Sequence, residues 1–499
     1  MPKYIFILLL LWFPLKDGHR ETTQPNIVFI FADDMTYTAI SALGNDEINT
    51  PNLDRLVRGG TTFTHAFNMG GWNGAICVAS RAMIISGRSL WEANQFRKEW
   101  IKGVGTEKSW GKLMKSAGYE TFMTGKWHLD ARATEIFQNV VHVRPGMPGD
   151  AWNRTPGMEI KIMEASSRNI PMKDIMPLGY NRPLDENDTL WSASDTSMGG
   201  YWEGGKHWSE VLKEDALGFL ERSTEKEKPF FMYLAFNAPH DPRQAPKEYL
   251  GQYPLDRISL PKSWLPEYPF KDSIGNGPDL RDEALAPFPR TAYAIKKHTQ
   301  EYYALISHMD QQIGEILNKL EANDGLKNTF VIFTADHGLA MGRHGLMGKQ
   351  SLFDHSIRVP FMVMGPGIPA GKKIEEPIYL QDAMATSLEL AGIKKPDYVF
   401  FNSLIDLAKG KQPKSHYREI YGAYTDTQRM IRKNGFKLIA YPKLKKLLLF
   451  DLKKDPEEQN DLASRSAYHM KVDSLFKDLL KLQQQFKDTV DIASIRPIK

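Results

Sequence analysis

Five runs of consecutive apolar, β-branched and aromatic residues punctuate the chain: 26–32 (Asn-Ile-Val-Phe-Ile-Phe-Ala), 119–124, 229–236, 329–334 and 359–364. The first, and those at 119, 229 and 329, lack the polar alternation of a half-exposed strand. They predict strands buried on both faces, as in a parallel sheet covered by helices. The run from Val359 predicts a fifth buried strand, closed by Gly365-Pro366-Gly367. Between the runs the period becomes helical. Residues 207–222 carry Val211, Leu212, Leu217 and Leu220, and residues 296–320 keep a stripe through Tyr302, Leu305, Met309, Ile313, Ile316 and Leu320. Asn323-Asp324-Gly325 supplies the chemistry of a helix C-terminus. Strands alternating with helices predict an α/β domain with a large mixed, mostly parallel sheet sandwiched by helices. After Leu390-Ala391-Gly392 the pattern changes to short strands at 419–424, 429–431, 436–441 and 447–452, then a polar helix near 463–486. This predicts a large α/β domain over 23–412 and a smaller C-terminal antiparallel α+β domain over 413–499.

Ligands in open α/β sheets bind beyond the carboxyl ends of the strands. Four of the buried runs lead into ionisable residues there: Asp33-Asp34, Lys126 with His128, His240, and Asp336-His337. Lys126 and His128 occupy alternate positions of extended chain and so face the same way. The carboxylates predict a site for a hard cation, calcium or magnesium, with Asp33, Asp34, Asp336 and His337 as ligands. Residues 129–205 and 241–289 are rich in Pro, Gly and Asn and read as long loops that wall the cleft.

Composition excludes more than it selects. A net charge of +4 over 499 residues gives no extended surface for nucleic acid. Lys3, an apolar run over 4–15 and Lys16-Asp17-Gly18 have the layout of a secretory signal over 1–22, too short for a membrane helix. No cysteine follows it to carry a lipid anchor. The expectation is a cleaved signal and a soluble protein, secreted or periplasmic in a bacterium, without disulfides. The Asn153-Arg154-Thr155 and Asn187-Asp188-Thr189 sequons carry little weight beside this.

Cys77 is the only cysteine. A lone cysteine is ordinarily a small buried residue. Here Ser80-Arg81 follows within a turn, then an apolar run and Ser86-Gly87-Arg88, so Cys77 reads as the start of a helix with a guanidinium close by. Both features favour an anion at the sulfur. The segment resembles the signature of the type I sulfatases of the alkaline phosphatase superfamily, Cys-x-Pro-Ser-Arg followed by a Thr-Gly-Arg-like element. It departs at Ala79, where proline is the family's commonest residue. Gly125-Lys126-Trp127-His128, Pro239-His240, Asp336-His337-Gly338 and Lys349 follow in the family's order.

The resemblance implies that a maturation enzyme oxidises Cys77 to formylglycine, whose hydrate attacks sulfur beside one bound calcium. It implies that Arg81 pairs with that group and the metal ligands, Cys77 among them. Lys126 and Lys349 hold the sulfate, His240 protonates the leaving alcohol, and His128 acts as the base that expels sulfate. The substrate class it implies is a sulfated saccharide, from host glycans or algal polysaccharides, with aryl and choline esters as alternatives. Arg243, Gln428 and Arg429 are candidate substrate contacts. Two other readings stand beside it: a sulfated-glycan-binding protein with an unconverted Cys77, and a phosphoester hydrolase of the same superfamily.

Overall fold

The computed structural model describes residues 24–149, 161, 163–165, 167–170, 174–223, 228–322 and 325–495. The signal segment, the Asn153 sequon and the Asn323-Asp324 cap lie outside the described residues.

Eight strands form the central sheet, in the order Lys372–Ile374, Thr61–Phe63, Phe361–Met364, Thr329–Ala335, Asn26–Ala32, Phe230–Ala235, Glu120–Lys126 and Asn139–Arg144. The strand Asn26–Ala32 runs parallel to both its neighbours, with Ala32 beside Ala335 and Phe31 beside Ala235. Phe361–Met364 pairs antiparallel on both sides, so the sheet is mixed. The side chains explain the burial read from the sequence. Phe29 meets Trp110 on one face at 4.9 Å between ring centres, and Phe122 stacks on Phe219 on the other at 4.4 Å. The helices Ile76–Ser86, Leu90–Ile101, Trp110–Ser116 and Asp382–Leu390 pack together, as do Trp208–Ser223, Ala292–Ala322 and Pro51–Gly59.

One expectation is corrected. Residues 129–205 are not loop throughout, because Asn139–Arg144 is the edge strand of the central sheet. Its ladder with Glu120–Lys126 slips by one residue. Val141 pairs with Thr124, but Val143 pairs with Gly125, and His142 is the extra residue at φ 39°. The bulge sets Arg144 beside Lys126.

The C-terminal sheet contains Lys446–Asp451, Phe436–Tyr441, Gln428–Lys433 and Ile420–Tyr424, extended by Gly70–Gly71 from the N-terminal part. Gly70 must be glycine: φ is +96° and a Cβ would lie 2.0 Å from the Ala423 carbonyl oxygen. The helix His469–Gln485 packs on this sheet. Lys437 ties the sheet inward. Its ammonium reaches Asp354, Glu458 at 2.7 Å and the Leu352 carbonyl at 3.2 Å, and all three charged groups are buried.

Removing Lys437 leaves the buried Asp354 and Glu458 facing each other with only Arg358, 3.7 Å from Asp354, in ion-pair reach. Lys437→Met is therefore expected to cost roughly 3–5 kcal/mol of stability in denaturant titration. An unchanged midpoint would show that the ion cluster does not anchor the sheet.

Candidate active site

The strand ends converge as expected. Asp33, Asp34, Arg81, Lys126, Asp336 and His337 are each fully shielded from solvent. The parallel register carries past the strands: Asp336 N–H donates to the Ala32 carbonyl at 3.2 Å, and Asp33 N–H to the Ala238 carbonyl at 3.0 Å. Asp34 takes φ 68°, and its N–H donates to Asp336 Oδ1 at 3.1 Å. A non-glycine residue held in this region is local strain that the surrounding bonds sustain, a common feature of functional sites.

Three cations face these three carboxylates. Arg81 comes from the first turns of Ile76–Ser86, and its Nε donates to Asp336 Oδ2 at 3.2 Å while Nη1 donates to the Lys126 carbonyl at 3.0 Å. Lys126 Nζ contacts Asp33 Oδ2. Lys349 Nζ lies 3.0 Å from both oxygens of Asp34 and 3.1 Å from His240 Nε2. Burial drives the Asp34 carboxyl up, to about 7, although Lys349 and His337 pull it down. Burial works against a charge on His337, but Asp336 and Asp34 push it up to about 9.

Cys77 is in the first turn of its helix, and its side chain is buried. Burial alone would raise its thiol. Lys126, Lys349 and His128 outweigh that and hold it well below the ordinary range. Positive charge that favours a thiolate also favours an anionic oxygen at this position.

The donor set fits a divalent cation. Asp33, Cys77, Asp336 and His337 each offer a ligand atom within 4.8 Å of the others, and Asp33, Asp34 and His240 form an overlapping group. Asp33 Oδ1 and His337 Nε2 are buried with no hydrogen-bond partner among the described residues. His337 Nε2 stands 3.1 Å from Asp34 Oδ1 without being aligned to bond it. Its Nδ1 bonds the Gly338 carbonyl at 3.0 Å, which fixes the ring and leaves Nε2 for the cluster. Buried ligand atoms brought close but unbonded are suited to sharing an ion.

His240 is oriented from behind. Its Nδ1 donates to the Asp241 carbonyl at 2.6 Å, and Tyr201 OH donates to the same carbonyl at 2.8 Å. The Asp241 carboxylate is clamped by Arg281, which also pairs with Asp282. Asp282 accepts from Gln350 Nε2 at 2.7 Å and lies 3.7 Å from Lys349 Nζ. Tyr201, Asp241, Arg281 and Asp282 are readable in the sequence only as parts of the loops that wall the cleft, and Arg281 and Asp282 carry no local signal beyond that. Asp241 follows His240 directly, but the other three join it only in space.

The candidate substrate residues divide. Arg243 is buried beneath this layer, with Nη1 3.2 Å from His298 Nδ1, and with Nε and Nη2 unpartnered among the described residues. Gln428 and Arg429 are not brought to the cluster. Gln428 donates to the Gln350 carbonyl at 3.0 Å and accepts from Leu352 N–H at 3.2 Å, so it braces the loop that carries Lys349. Arg429 pairs with Asp488 through two nitrogens. His128, at φ 54°, is half-buried against Gly146, where a Cβ would lie 2.3 Å from the ring.

Comparison with known proteins agrees along the chain. A family model described as Sulfatase matches residues 25–393, and one described as N-sulphoglucosamine sulphohydrolase, C-terminal, matches residues 342–485. An arylsulfatase of Clostridium perfringens is 30% identical over 478 residues, covering 92% of this chain and 94% of its own. An N-acetylglucosamine-6-O-sulfatase of Bacteroides thetaiotaomicron is 25% identical, covering 94% and 88%. The solved structure of BT4656 with its substrate D-glucosamine-2-N,6-O-disulfate superposes with a TM-score of 0.69 at 22% identity, covering 94% and 99%.

Calcium titrated into protein stripped with EDTA is expected to raise the melting temperature, by the equivalent of about 2.7 kcal/mol at a hundredfold excess over Kd. Asp336→Asn should lose most of that gain. A melting temperature indifferent to calcium and magnesium would contradict a cation site.

Proposed function

The chain belongs to the sulfatase family of sulfuric ester hydrolases, and we propose that it removes sulfate from saccharides through a formylglycine formed at Cys77. The observation that carries this reading is the placing of Cys77 at a helix start facing Lys126, Lys349 and His128. The saccharide assignment is supported by two similar proteins, one called an N-acetylglucosamine-6-O-sulfatase and one solved with a disulfated glucosamine. The cation we assign is one calcium, held by Asp33, Asp34, Asp336 and His337 together with the modified residue 77. The maturation enzyme acts before or during export through a cleaved signal, and the protein works in the periplasm or outside the cell. Among the described residues no helix is long and apolar enough to cross a membrane.

Once formed at position 77, a formylglycine would supply, as its hydrate, an oxygen nucleophile for sulfur, and a cation held by these ligands would supply positive charge to the sulfuryl oxygens. The chain's own residues do the rest. Arg81 fixes the Asp336 carboxylate and lies 3.7 Å from Asp33, so the ligand oxygens keep their places. Lys126 and Lys349 present ammonium groups where charge builds on the transferring group. Each is held by a carboxylate, so little reorganisation is needed. His240 has its Nδ1–H committed to a carbonyl and its Nε2 facing the Lys349 ammonium at 3.1 Å, so the proton for the departing alcohol would come from Lys349 by way of Nε2. His128, half-buried beside Cys77, is the group that would take a proton from residue 77 as sulfate leaves. Arg243, with two free donors, is the candidate for a sugar contact. Gln428 and Arg429 act by holding the Lys349 loop and the C-terminal sheet.

Cys77→Ala is expected to abolish sulfate release from both 4-nitrophenyl sulfate and sulfated monosaccharides. His240→Ala should separate them. A sugar alcohol needs a proton to leave and should slow by about 10²–10⁴-fold, whereas 4-nitrophenolate leaves unaided and should slow far less. Equal losses on both substrates would remove His240 from the role of acid. Faster turnover of 4-nitrophenyl phosphate than of any sulfate ester would favour the phosphoester reading.

A further inference from the structure

A cleft of about 600 Å³ opens beside the catalytic cluster, lined by Asn73, Val78, His128, Asp130, Val143 and Arg144, with Arg97 and Gly146 at its sides. His128 lines the cleft and bonds the Cys77 side chain, so the cleft adjoins residue 77. The sugar that bears the ester has to occupy space of this kind.

Its charge is uneven. Arg97 and Arg144 stand in the walls, from the helix Leu90–Ile101 and from the end of the edge strand. Both remain partly open, at 28% and 14% side-chain exposure. Arg97 donates to Asp130 through Nε at 2.7 Å and Nη2 at 3.3 Å. That leaves its Nη1 free of a hydrogen bond among the described residues. Arg144 pairs with Glu203 through Nη2 and stacks at 4.4 Å over Trp208, leaving Nε and Nη1. Each guanidinium is thus fixed along one edge and keeps donors for a ligand, the arrangement that favours recognition of a planar or tetrahedral oxyanion. Val143 is an apolar residue left 46% exposed in the same wall. It offers a surface to the carbon face of a sugar ring.

The bulge at His142 is what brings Arg144 here. His142 turns away to bond Asp215 at 2.8 Å, and the slip advances Arg144 to the position beside Lys126. In an unslipped ladder Val143 would take that place. A bulge at the edge of a sheet beside an active site commonly re-aims one side chain.

We propose that Arg97 and Arg144 bind a second anionic group, a carboxylate or another sulfate, on the saccharide whose ester is cleaved. The preferred substrate is then a saccharide with two or more negative charges close together. This rests on the sulfatase reading above and narrows it.

The test uses matched substrates: N-acetylglucosamine 6-sulfate against glucosamine 2-N,6-O-disulfate, and a monosulfated hexosamine against the same sugar joined to a uronic acid. 4-Nitrophenyl sulfate is the single-charge reference. The wild type is expected to favour the more charged member of at least one pair by about tenfold or more in kcat/KM, the scale of one charged hydrogen bond. The pair that shows it separates sulfate from carboxylate. Arg97→Gln and Arg144→Gln should each erase most of that preference and leave 4-nitrophenyl sulfate within about twofold, and preference should fall with added salt. Arg97→Lys and Arg144→Lys, which keep the charge, should retain part of it and serve where a glutamine variant melts early. No preference in the wild type, or variants that slow both members equally, would overturn the inference. A wild type that hydrolyses no sulfate ester, 4-nitrophenyl sulfate included, would overturn the sulfatase reading and this inference with it.

Discussion

Three carboxylates buried at the ends of two adjacent strands are the constraint on which the rest of the site depends. Asp33, Asp34 and Asp336 are all shielded from water, and charges so placed are costly unless answered. The answer comes from four separate segments. Arg81 arrives from the helix that begins at Cys77, Lys126 from the neighbouring strand, Lys349 from a loop, and His337 from the strand end itself. The same cations that balance the carboxylates also face position 77. In the proposed mechanism, holding the ligands and activating the nucleophile are therefore one electrostatic arrangement. It explains why the cluster accepts strain at Asp34 and why a divalent ion suits it.

The layers around the cluster act through positioning. Tyr201, Asp241, Arg281 and Asp282 link His240 and Lys349 into one network. From the other side, Gln428 holds the Lys349 loop to the C-terminal sheet, and Lys437 ties that sheet to Asp354. The C-terminal sheet, completed by Gly70–Gly71 just before the Cys77 helix, thus braces the catalytic groups without lining them.

The strands that carry the site were legible because a strand buried on both faces has a continuous apolar sequence. The run 26–32 matches its strand residue for residue, and Thr329–Ala335 is one residue longer than read. The edge strand Asn139–Arg144 escaped because an edge needs no such run: His142 interrupts it, and Val143 is exposed. Thr61–Phe63 is too short for any period to show. Within the site, groups that follow a strand end were readable, since the sheet places them. Arg281 and Asp282 sit in a proline-rich stretch, and what gives them meaning is a contact with Asp241 some forty residues away in sequence. Pairing of that kind is set by tertiary packing and leaves no local pattern.

The claim that unites the cluster is that residue 77 is not a cysteine in the working protein. The most direct test is the mass of the peptide containing residue 77, taken from protein purified from its native cells. The expected mass is that of an aldehyde or its hydrate in place of the thiol. An unmodified cysteine throughout that sample would contradict it, leaving a buried anion-binding pocket without its nucleophile.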